Sequence, residues 1–221
     1  MSRKSGRSRL LAWMLTAAFM SVAWATQVQS NPAPRLASGS LSVPVAGPAT
    51  CPAERAVYEL RVPDSDDVWR IELVPAQNTR SIASDLYMKL VTPVRTYWFK
   101  FEVSQGYSGI SVLPVTDPYS DTGSRDLLGP PFGDNPDGTQ DPDVLSTLRF
   151  LVFDESLTVL FEPPVSGDEA PPLIMMPEIG QTLWYNTAAL TDSAGADRDP
   201  MPRGMFKRTG CLVTPHRPIP D

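Results

Sequence analysis

Seven aspartates (Asp117, Asp121, Asp126, Asp134, Asp137, Asp141 and Asp143) fall within residues 117–146, beside a single base, Arg125. Carboxylates at that density suit hard cations and basic partners, and they can supply the acid and base of glycan hydrolysis. The segment is rich in Pro and Gly and shows no alternating apolar pattern. A structureless connection of that length is uncommon in a compact domain and tends to be functional or disordered. Asp117, Asp121, Asp134, Asp137 and Asp141 are therefore the candidate binding residues. The competing reading is a solvated, flexible loop.

Asp134-Asn135-Pro136-Asp137-Gly138 is similar in composition to an EF-hand calcium loop. Setting Asp137-Gly138 at positions five and six puts Gly133 at position one and Val144 at position twelve, so both closing carboxylates are missing. An irregular calcium site is the alternative left; otherwise no cofactor is expected. Asp121-Thr122-Gly123-Ser124 resembles the short string of aspartic proteases, over four residues. That chemistry needs two carboxylates sharing a proton, each set after a buried apolar strand. Here Pro118-Tyr119-Ser120 precede the string and no second copy exists, so it reads as a polar turn. Serine or cysteine catalysis lacks a base, since the one histidine, His216, lies in a Pro-rich tail with no rigid element to hold it. Gly106-Tyr107-Ser108-Gly109 lacks the further glycine of a nucleophile elbow, and one His with two Cys is a poor set for zinc.

The elements that must position these groups are strands. Tyr58, Leu60 and Val62 alternate with Glu59 and Arg61; after the turn residues 63–67, Trp69, Ile71 and Leu73 alternate with Arg70 and Glu72. Period-two runs joined by a short polar linker make a hairpin. Residues 86–91 fit a helical turn or a strand. Tyr97, Phe99, Phe101 and Val103 alternate with Thr96, Trp98, Lys100 and Glu102, and residues 110–115 follow a Gly-bounded turn. Residues 148–153 and 157–161 flank Asp154-Glu155-Ser156 as a second hairpin, apolar enough to be covered on both faces. Residues 173–176, 182–186 and 205–213 are further strand candidates. The expected fold is an all-β, antiparallel β-sandwich of about eight or nine short strands with one long acidic loop, a barrel being the alternative. On the polar face of its strand, Trp98 is either a sugar-stacking platform or interface anchor, or a ring covered by a loop; Trp69 and Trp184 are expected in the core.

Residues 1–9 carry four bases and no acid, residues 10–25 are almost wholly apolar, and the run closes on Ala23-Trp24-Ala25. This is the pattern of a secretory signal cleaved after Ala25, too short to span a bilayer. Residues 26–50, rich in Pro, Ser and Ala with one charge, read as a flexible arm; residues 51–214 as a single β-rich domain; residues 215–221 as a Pro-rich tail. Removing the signal takes four of the 19 bases and none of the 25 acids, leaving 15 against 25, a net charge of −10. That balance disfavours nucleic acid and anionic lipid. The two cysteines, Cys51 and Cys211, bracket the folded part, and in an oxidising compartment an isolated pair forms a disulfide. The functional expectation is a periplasmic or secreted, non-catalytic binding or structural module, with no stable membrane span and with another envelope protein or a glycan as partner. The alternatives are an acidic inhibitor or partner of a basic secreted protein and a carboxylate-dependent glycan hydrolase.

Overall fold

The computed structural model of the chain describes residues 50–77, 81–102, 109–129 and 142–220. The alternating pattern folds as it reads. β1 (Ala56–Arg61) and β2 (Val68–Pro75) pair antiparallel with Tyr58 opposite Ile71 and Leu60 opposite Trp69. Asp64 takes a positive φ of 64° in the turn between them, and Ser65 Oγ accepts the Asp67 backbone N–H at 3.1 Å. Asn and Asp tolerate that backbone region better than other side chains, which is why the turn forms here.

The ambiguous segment is a strand, β3 (Leu86–Val91), followed by β4 (Thr96–Glu102) and β5 (Ile110–Val115) in an antiparallel meander. β6 (Arg149–Phe153) and the two-residue β7 (Val159–Leu160) flank a turn closed by Asp154, whose Oδ1 accepts the backbone N–H groups of Ser156 and Thr158 at 2.8 Å. This hairpin is less enclosed than its apolar sequence implies: Leu157, Leu160 and Phe161 are exposed. β8 (Leu173–Met175) and β9 (Met205–Cys211) complete the sheet.

The sheet order is β5-β4-β3-β2-β1-β9-β8-β6-β7, with β5 also paired to β6. That extra pairing, Ile110 with Phe150 and Ser111 with Arg149, closes eight strands into an antiparallel barrel and leaves β7 as an appendage. The expected sandwich is thus corrected to a barrel. Both architectures use the same inward-outward alternation, but closure removes two sheet edges whose N–H and C=O groups would otherwise lack partners. Tyr58, Ile71, Leu73, Met88, Leu90, Tyr97, Phe99, Phe101, Ile110, Phe150 and Phe206 are buried in one core. Phe101 and Phe150 meet edge to face at 5.1 Å across the β5–β6 closure. Eight strands can enclose packed side chains or a small ligand, and here Phe99, Phe101, Phe150 and Phe206 are packed within the core.

At one end, Cys51 and Cys211 form the expected disulfide, their Cα atoms 5.8 Å apart. It reinforces the β1–β9 seam, where Ala56 pairs with Cys211. The opposite end is where β2, β4, β6 and β9 begin. Two short helices, α1 (Pro142–Thr147) and α2 (Ile179–Tyr185), lie in the connections there and touch each other. Ile179, Leu183 and Leu190 are buried at 1% exposure or less and cap the core.

Candidate binding site at the capped end of the barrel

Residues 182–186, expected as a strand, belong to helix α2, and this changes which residues face solvent. A strand would alternate faces; the helix buries Ile179, Thr182 and Leu183 and turns Gln181, Trp184 and Tyr185 outward. Trp184, expected in the core, is 38% exposed and its neighbour Tyr185 is 78% exposed. Among the described residues these are the two exposed members of the Trp and Tyr set.

Both line a cleft of about 650 Å³ between three segments. The β1–β2 hairpin contributes Asp67 and Trp69, α2 contributes Gly180, Gln181, Trp184 and Tyr185, and residues 200–203 form the third wall. Gly180 allows α2 to approach that wall: a Cβ there would lie 2.9 Å from the Met201 carbonyl oxygen. Trp69 is 6% exposed and its indole Nε1–H has no hydrogen-bond acceptor among the described residues. The Arg198 guanidinium carbon sits 5.0 Å from the Trp184 ring centroid, a cation–π contact that orients the ring.

A buried carboxylate fixes the third wall. Asp199 is fully buried, and its Oδ2 accepts hydrogen bonds from Thr92 Oγ1 at 2.6 Å and Tyr97 Oη at 2.8 Å. Its backbone N–H donates to the Leu183 carbonyl at 2.9 Å, which joins the wall to α2. Arg95 Nε stands 4.0 Å from Oδ2, and Oδ1 has no hydrogen-bond partner among the described residues. Burial, then the bond to Asp199, pushes the Tyr97 phenol well above its usual range, so it stays a donor. The polar residues 192–199 thus end in a side chain that ties the cap to β4. An Asp followed by Pro in a polar run carries no local mark of burial.

The residues singled out from the sequence are not brought together here. Trp98 is 7% exposed; Tyr119 packs on it edge to face at 5.7 Å and Lys89 Nζ lies 5.8 Å from its ring, so it presents no open stacking face. Asp117 is exposed and its Oδ1 accepts the Tyr119 backbone N–H at 2.9 Å, a turn-closing bond. Asp121 is exposed in the same turn, and Asp126 pairs with Lys100 at 2.9 Å. Asp134, Asp137 and Asp141, with the calcium-loop reading that rests on them, lie outside the described residues. Among the described residues no three His, Cys, Asp or Glu side chains cluster as a metal ion would require.

The Pro-rich tail docks on the barrel wall instead of trailing from it. Ile219 is 3% exposed, bridges Ala76 and exchanges backbone hydrogen bonds with Pro75 and Gln77. Tyr119 Oη donates to the Arg217 carbonyl, and Ile219 joins Val74, Tyr87, Trp98 and Val115 in a small outer core. His216 is therefore held in place, its Nε2 3.3 Å from Glu72 Oε2, contrary to the sequence expectation; Lys89 Nζ bonds the same carboxylate oxygen at 2.9 Å. Further along the wall, hydrogen bonds from Arg61 and then Arg70 hold the Glu59 carboxyl below its usual range. No family model, curated protein or solved structure matches the chain.

Proposed function

We propose that the chain is an exported, non-catalytic binding module of the cell envelope, periplasmic or secreted, which takes its ligand in the capped-end cleft. One observation carries the reading: the two exposed Trp and Tyr side chains are neighbours on α2 and both face that cleft. Large aromatic side chains are costly to leave in water unless a partner covers them, and clefts of 300–1,000 Å³ are the usual size for small ligands. Packing throughout the barrel core favours a rim site over an internal one. The disulfide suits an oxidising compartment, and among the described residues no helix is long and apolar enough to cross a membrane.

A glycan hydrolase would need two carboxylates about 5–9.5 Å apart across the cleft. Among the described residues the lining holds one, Asp67. The acidic-inhibitor alternative draws on the acidic loop at residues 117–146, of which residues 130–141 lie outside the described residues, while Asp117 closes a turn and Asp126 pairs with Lys100. The test is to recover native protein from envelope and culture fractions, and to pass envelope extract over immobilised wild-type and Trp184→Ala/Tyr185→Ala protein. The expected result is a terminus at Thr26 and an envelope component retained by the wild type alone. Cytosolic material with Met1 intact, or equal retention by both proteins, would overturn the proposal.

A further inference from the structure

The lining of the capped-end cleft points to a class of ligand. Its floor and one flank are aromatic, with Trp69 inside and Trp184 and Tyr185 at the opening, while its rim carries planar polar groups, Asp67, Gln181 and Arg203. The two lining charges oppose each other, Asp67 against Arg203, and Arg198 beside them is engaged on the Trp184 ring. A phosphorylated or multiply anionic ligand would call for clustered cations with bidentate geometry. A lipid chain would call for a deep, wholly apolar cavity, and the barrel interior that could have provided one is filled by Phe99, Phe101, Phe150 and Phe206.

An aromatic face beside carboxylate, amide and guanidinium groups matches a molecule with a flat patch of C–H bonds on one side and hydroxyls around its edge. A sugar ring is built that way. Its C–H face can lie on Tyr185, or on the Trp184 face opposite Arg198, and its hydroxyls can pair with the rim, which both accepts and donates hydrogen bonds. Trp69 lies beneath the opening with its Nε1–H closed to solvent, so its indole signal reports on packing under a bound ring. We infer that the cleft is a binding site for a neutral saccharide, an inference that rests on the binding-module reading above.

The indole N–H region of a ¹H–¹⁵N spectrum tests it directly, because Trp69, Trp98 and Trp184 report separately. The probes are soluble neutral oligosaccharides, namely α- and β-linked glucan, mannan and chitin fragments, with deca-proline as a peptide control. The expected result is a saturable shift of the Trp69 and Trp184 signals by at least one oligosaccharide, with Trp98 unmoved. Trp184→Ala and Gln181→Ala, both at exposed positions, should weaken that binding about tenfold and about threefold while leaving the spectrum folded. A shift produced by deca-proline and by none of the oligosaccharides overturns the saccharide and leaves the binding module standing. Silence of both indoles towards every probe overturns the saccharide; combined with equal retention of envelope material by the Trp184→Ala/Tyr185→Ala protein, it removes the binding-module reading as well.

Discussion

Replacing both bridged cysteines, Cys51→Ala with Cys211→Ala, tests how this barrel keeps its seam. The bond spans a sequence separation of 160, for which the chain-entropy relation gives about 5 kcal/mol at 25 °C. The β1–β9 ladder already places Ala56 opposite Cys211, and the Arg55 carbonyl accepts the Leu212 N–H at 2.7 Å, so the native seam has its own hydrogen bonds. The loss therefore falls mainly on the unfolded ensemble, which regains the freedom the crosslink removed. With a urea m-value of about 2 kcal/mol/M, the unfolding midpoint should drop by about 2.5 M. Near-ultraviolet circular dichroism without denaturant should stay unchanged. Wild-type protein reduced by dithiothreitol should move by a similar amount, and it separates crosslink loss from the small cavity left at buried Cys51. A midpoint shift below about 0.5 M in both samples would refute the reasoning. So would loss of the near-ultraviolet signal in the reduced protein, because it would make the bond necessary to the native seam itself.

Asp199→Ala leaves the hydroxyls of Thr92 and Tyr97 buried without their shared acceptor, and should cost about 2–4 kcal/mol by thermal denaturation; Asp199→Asn, which can still accept, should cost less. Gly180→Ala drives a Cβ to 2.9 Å from the Met201 carbonyl oxygen, so α2 and the wall at residues 200–203 must separate. The expected price is about 1–3 kcal/mol, with amide shifts confined to those two segments. Glu59 has a carboxyl held below its unfolded value, so its charged form stabilises the fold. That contribution is complete above the unfolded pKa of about 4.5 and is lost as pH falls through the lower folded value. Urea midpoints measured down the acid limb should fall less steeply for Glu59→Gln than for wild type; parallel slopes would refute the ion-pair account.

The strands were legible because their signal is local. Tyr58, Leu60, Trp69, Ile71, Tyr97, Phe99 and Phe101 point where a period of two says they should, and all are buried. The turns at Asp64 and Asp154 carry the side chains that close them. The candidate site was misplaced for a related reason. Acid density marks a segment as solvated but says nothing about what gathers around it, and Asp117, Asp121 and Asp126 serve turns and a surface ion pair. The aromatic cleft had one faint trace, the adjacent Trp184-Tyr185, which a strand assignment scattered onto opposite faces.

Residue order alone determined the inward and outward faces, the hairpins, the acidic balance and the pairing of the only two cysteines, since each depends on neighbours in the chain or on composition. Tertiary structure decided the rest. Whether β5 meets β6, whether Ile219 docks over Trp98, and whether Asp199 reaches Thr92 and Tyr97 are contacts between residues 38 to 121 positions apart. Such contacts form because closing an edge or burying an apolar side chain outweighs the entropy of bringing distant segments together. No pattern within a dozen residues encodes that balance.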